Sequence, residues 1–188
     1  MVLRQQVCEA ARQLWLKGLI VGDGGFICAE VHRQRFLVTP PGRRRGDLQE
    51  SDLRIVDIGG MELGETRVLD EALWRAHRIA LQIGVERQAV GTEQELGALR
   101  ASIHATPPMT LALLRMNNGT SSIALNGLPA LEIVNPGDEA ILKAKLDQSA
   151  VVALGKDGGI ICAAGDVWKA VNLIERIEHA ATIEIACR

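Results

Sequence analysis

The side chains of this 188-residue chain that could do chemistry are few: four histidines, four cysteines and no tyrosine. An imidazole can hold a divalent metal through a neutral nitrogen, or move a proton near neutral pH. His104 stands in Ile103-His104-Ala105-Thr106-Pro107-Pro108, where an extended run meets a helix with proline in its first turn. His32 falls at a hairpin turn and His179 on the exposed side of the last helix, where a surface role is the default. Cys162 sits in an apolar run with no neighbouring base, which raises a thiol pKa and argues against a nucleophile. The cysteines Cys8, Cys28, Cys162 and Cys187 show no CxxC spacing and read as reduced core residues of a cytoplasmic protein. Positive charge is concentrated only at Arg43-Arg44-Arg45, which reads as a solvated loop rather than a phosphate or nucleic-acid site.

Such residues need a core to position them. With 47% hydrophobic residues the chain can bury one, and the expectation is a single domain over residues 1–188. A formal charge of −2 and a pI near 6.1 give no general attraction to nucleic acid. The N-terminus has no apolar signal-like core, and no apolar run approaches the roughly 18 residues of a membrane span.

Val7, Ala10, Ala11, Leu14 and Trp15 follow helical spacing, and Gly18 ends that helix. Residues 25–31 and 34–39 predict a hairpin turning at His32-Arg33, its second strand ended by Pro40-Pro41-Gly42, and 54–58 a further short strand. Asp70 is the expected N-cap of a helix bearing Leu73, Ala76, His77, Ala80 and Leu81, whereas residues 84–98 are polar and ambiguous. A strand over 99–104, a helix from Pro107 to Met116, and extended pieces at 123–125 and 131–134 follow. A helix to about Leu146, strands at 150–154 and 159–163, and a helix from Asp166 with Val167, Ala170, Val171, Ile174, Ile177 and Ala181 on one side complete the chain. Hairpins among helices predict an α/β layered domain whose sheet is mostly antiparallel.

Three stretches resemble the class II aldolase/adducin family. They are Gly18-Leu19-Ile20-Val21-Gly22-Asp23-Gly24-Gly25-Phe26-Ile27 with Val38-Thr39-Pro40-Pro41-Gly42 and Leu48 to Asp57; Trp74-Arg75-Ala76-His77 with Ile103 to Pro108; and Ala150 to Leu154 with Lys156-Asp157-Gly158-Gly159 and Gly165. The resemblance implies a three-layer domain with a central, mostly antiparallel sheet, and a homo-oligomer, usually a cyclic tetramer. It also implies a zinc ion on three histidines, an acid/base glutamate, a proton-donating tyrosine, and a phosphate held by glycine turns.

Residue by residue the implied site is depleted. His104 keeps the first ligand position, Thr106 and Asp157 stand at the other two, Leu73 replaces the glutamate, and Phe26 replaces the phosphate-binding asparagine. His77 falls on a position that the resemblance makes structural. Catalytic candidates are His104, Asp157 and Thr106; anion-binding candidates are Gly25, Thr39 and Gly42. No cofactor is expected; the alternative is a weakly bound divalent metal such as zinc on His104 and Asp157. The leading expectation is an oligomeric scaffold or binding protein without aldolase chemistry. The alternative is a divergent lyase acting on a small hydroxy-carbonyl, sugar-phosphate-like substrate.

Overall fold

The computed structural model describes residues 2–32, 34–62, 71–90, 99–117, 119–135, 137–155 and 158–188. Eight strands form one sheet in the order β3-β2-β1-β4-β8-β7-β6-β5. They are β1 (Phe26–His32), β2 (Arg35–Val38), β3 (Arg54–Asp57), β4 (Ala101–Ala105), β5 (Ser122–Ile123), β6 (Leu131–Val134), β7 (Val151–Leu154) and β8 (Ile160–Ala164). Every neighbouring pair is antiparallel except β6 and β7, which run parallel across the helix α4 (Glu139–Gln148).

Strand alternation divides the core in two. Ile27, Ala29, Ala101, Ile103, Ala105, Ile160 and Cys162 face α1 (Val2–Leu16), α3 (Pro108–Met116) and α5 (Val167–Ala186). Their neighbours Phe26, Cys28, Ile161 and Ala163 belong to the opposite face, under α2 (Glu71–Val90) and α4. The apolar stripe predicted for α5 is fully inside: Val167, Ala170, Val171, Ile174, Ile177 and Ala181 are all buried. Each large aliphatic side chain among them contributes about 1.5–3 kcal/mol.

Local capping follows sequence. Asp138 accepts from the Ile141 amide at 3.1 Å and Asp166 from the Lys169 amide at 2.8 Å, each worth about 1 kcal/mol. The first turn of α3 is different, because Pro107 offers no side-chain cap. Glu178 of α5 supplies it instead, accepting from the amides of Met109 and Thr110 at 2.8 Å and from the Thr110 hydroxyl at 2.7 Å.

Two expectations need adjustment. The helix α2 continues through the stretch that read as ambiguous, as far as Val90; Glu86, Arg87 and Gln88 are good helix formers even without an apolar stripe. Cys187 is exposed and Cys8 only partly buried, so only Cys28 and Cys162 are core residues. Burial pushes both of those thiols well above their usual range. Asp70, the expected cap of α2, lies outside the described residues. Among the described residues no helix is long and apolar enough to cross a membrane.

Candidate functional site

The site is built where β1, β4 and the β7–β8 turn meet. His104 is the fourth residue of β4, and alternation turns it, with Ser102, toward α2. The register sets Phe26 directly opposite it on β1 and Ile161 directly opposite on β8. An imidazole flanked on both sides by apolar side chains is disfavoured in its charged form, and burial lowers the His104 pKa while its bond to Gly158 opposes that shift.

His104 Nε2 lies 2.6 Å from the Gly158 carbonyl oxygen. A carbonyl can only accept, so Nε2 carries the proton and the neutral ring keeps its lone pair on Nδ1. That Nδ1 is buried and makes no hydrogen bond. The nitrogen on the open edge of the ring is therefore a donor, and the nitrogen able to ligate faces inward.

The turn that supplies this carbonyl is fitted closely to the ring. Gly159 has φ +80°, and a Cβ there would lie 2.8 Å from His104 Nε2 and 3.1 Å from Thr106 Cγ2, as well as against the Ala105 carbonyl. Only glycine takes this conformation without strain or collision. Thr106 is half-buried, its amide donating to the Leu19 carbonyl at 3.0 Å. Asp157, the other expected partner of His104, lies outside the described residues; the His104–Asp157 couple is thus not among the contacts described, and Gly158 holds the ring.

Behind His104 is a second imidazole. His77 of α2 is fully buried, with Nδ1 2.7 Å from the Ser102 hydroxyl and the Phe26 ring edge-on at 4.7 Å. Its Nε2 has no partner. Burial, and next the proximity of His104, push its pKa well below the ordinary value. The core histidine expected from sequence is therefore only half satisfied.

The expected anion-binding residues divide. Gly25 sits at the head of β1 with φ +70°, where a Cβ would come within 2.5 Å of Ile20 Cγ2 and 3.1 Å of the His104 carbonyl oxygen. Thr39 is fully buried, its hydroxyl accepting from the Ile27 amide and its own amide donating to the Ile27 carbonyl, both at 3.1 Å. Gly42 (φ +69°) is exposed with open space around it.

The arginine run, read as a solvated loop, is three different things. Arg43 pairs with Asp52 at 3.2 Å, and Arg44 lies over the Trp15 ring at 4.5 Å. Arg45 is only 2% exposed and gives its guanidinium to four backbone carbonyls. The correction has a physical reason: a guanidinium can be buried when backbone carbonyls satisfy its donors, and here the nearby Pro40 and Arg43 are joined by Gly24 and Gly25 from a turn some 20 residues away. The roles of Glu178 and Arg45 were missed by sequence reasoning, as was that of Gly158 as the partner of His104.

Among the described residues there is no group of three or more His, Cys, Asp or Glu side chains able to hold a metal ion.

A family profile described as the class II aldolase and adducin N-terminal domain matches residues 5–185. Among solved structures, the L-fuculose-1-phosphate aldolase of Thermus thermophilus superposes with a TM-score of 0.77 at 18% identity, covering 99% of this chain and 95% of that one. An aldolase II superfamily protein from Pseudomonas syringae gives 0.75 at 20% identity, over 98% and 74% of the two chains. A sugar-phosphate aldolase from Thermotoga maritima gives 0.68 at 18%, over 99% and 96%. No curated protein sequence matches. At such identities the structural likenesses establish the fold, an α/β domain with a mostly antiparallel sheet between helices.

Proposed function

We propose, for a chain that belongs to the class II aldolase and adducin N-terminal domain family, a role without the zinc-dependent aldol chemistry, as an oligomeric scaffold or binding protein. The observation that carries this reading is the bond from His104 Nε2 to the Gly158 carbonyl. A metal at that nitrogen would have to remove the proton and break a short hydrogen bond in a site whose strand neighbours, Phe26 and Ile161, are apolar. The absence of tyrosine from the whole sequence adds to it, since no copy of the chain can supply the phenolic proton donor that the resemblance implies. Residues 1–188 act in this reading as one domain, which the span of the family match supports.

The competing reading is a lyase with a site rebuilt around His104, Thr106 and Asp157, and one observation favours it. The lone pair of His104 Nδ1 is buried and unused, and half-satisfied polar groups gather at sites that do something. One experiment separates the two. Protein purified without chelator is analysed for metals and assayed for cleavage of short hydroxy-aldehydes and their phosphates, beside His104→Ala. Sub-stoichiometric metal and no turnover are the expected result. A full equivalent of metal per chain would overturn this reading, and turnover lost in His104→Ala would establish the lyase instead.

A further inference from the structure

We propose that Arg45 is the internal ligand of a backbone carbonyl cage that locks the two glycine turns together, and that this cage accepts free guanidinium once the side chain is removed. The inference goes beyond the reading above and holds whether or not His104 takes a metal.

The cage is defined by its bonds. Arg45 Nη1 donates to the carbonyls of Pro40 at 2.8 Å and Arg43 at 2.9 Å. Nη2 donates to the Gly25 carbonyl at 2.8 Å, and Nε is shared between Gly24 at 3.2 Å and Gly25 at 3.3 Å. The backbone joins in as well, the Arg45 amide donating to the Gly22 carbonyl at 3.0 Å. Two turns that are separate in sequence, residues 22–25 and 40–43, thus point their oxygens at one planar cation. A lysine ammonium has three donors at a single point and cannot span such a set; the fork of a guanidinium can.

No carboxylate bonds to this side chain among the described residues. Burial lowers the Arg45 pKa to about 10, while the negative charge of Asp23 opposes the shift, so the group remains a cation at neutral pH. The carbonyl dipoles therefore take the place that a counter-ion has elsewhere.

What the cage positions is the head of β1. Gly25 takes donors from two nitrogens of the same guanidinium while held at φ +70°. The next residue is Phe26, which lies opposite His104 in the sheet and against the His77 ring. Arg45 is thus a positioning residue acting on the histidine pair through Gly25 and Phe26.

Thermal unfolding of Arg45→Ala, compared with Arg43→Ala, tests this. Arg45→Ala is expected to lose about 10 °C in Tm, because buried carbonyls lose their donors, against a few degrees at most for the exposed neighbour. Guanidinium at about 20 mM, where its linear denaturing effect is still small, should restore a substantial part of that loss. Ammonium at the same concentration should restore none, and wild type should gain nothing from either. Imidazole nitrogen NMR should show the His104 signal displaced in Arg45→Ala and returned by guanidinium. If Arg45→Ala does not fold, Arg45→Lys is measured, and wild-type stability in that variant overturns the proposal. Equal losses in the Arg45→Ala and Arg43→Ala proteins, or recovery that ammonium matches, overturn it too. Metal content and lyase turnover play no part in these readouts, so the fate of the functional reading is decided separately.

Discussion

Arg45 and the pair His77/His104 are both polar groups withdrawn from water, and the structure treats them in opposite ways. The guanidinium is surrounded by four carbonyl acceptors drawn from two turns. Each imidazole has one nitrogen engaged and one buried with no partner. A buried donor that is satisfied stiffens what it touches, while one left unpaired costs about 1–3 kcal/mol. The glycine turns are thus built to stay as they are, and the histidine pair is where the fold tolerates imperfection.

The comparison can be broken most sharply at the point the two regions share. Gly25→Ala forces a side chain into a left-handed conformation and into Ile20, and is expected to cost about 3–5 kcal/mol, read by urea unfolding. A loss below about 1 kcal/mol would mean that the turn adapts and the cage is loose.

A smaller effect follows from the histidines. Both have pKa values lowered in the folded state, so between those values and the ordinary 6.5 the unfolded chain binds more protons than the folded one. Their contribution is fully present above pH 6.5 and is lost as the pH falls through the interval below it, at up to about 1.4 kcal/mol per pH unit for each ring. His77→Leu should flatten this acid limb by one proton in the slope of stability against pH. An unchanged slope would show that His77 does not titrate on unfolding. Smallest of all is Arg44→Ala. Removing an exposed cation from the Trp15 face should cost about 0.5–1 kcal/mol and leave the Arg45 cage intact, visible as a shift of a degree or two in Tm.

What could be read in advance was whatever is local. The stripes of α1 and α5 follow from spacing of three and four, and the start of α5 near Asp166 from residue type. His104 at the mouth of β4 and the glycine at 25 were visible through their motifs. Arg45 was not, because its burial depends on carbonyls that only converge after two turns have formed. For the same reason Gly158 could not be foreseen as the partner of His104: a backbone oxygen carries no mark in sequence. Glu178 looked like one more polar residue on a helix until α3 was placed beside it.

That carboxylate has an implication for how the molecule assembles. It caps the first turn of α3, whose Thr110 and Met109 amides lie 68 and 69 residues earlier in the chain. As a ribosome feeds the chain out, α3 emerges with its leading amides bare, and β4 and β8 wait with one face wet until residues 167–186 arrive to cover them. The chain therefore cannot complete this face before α5 has emerged, and removing α5 should leave α3 uncapped and β4 and β8 bare on one side.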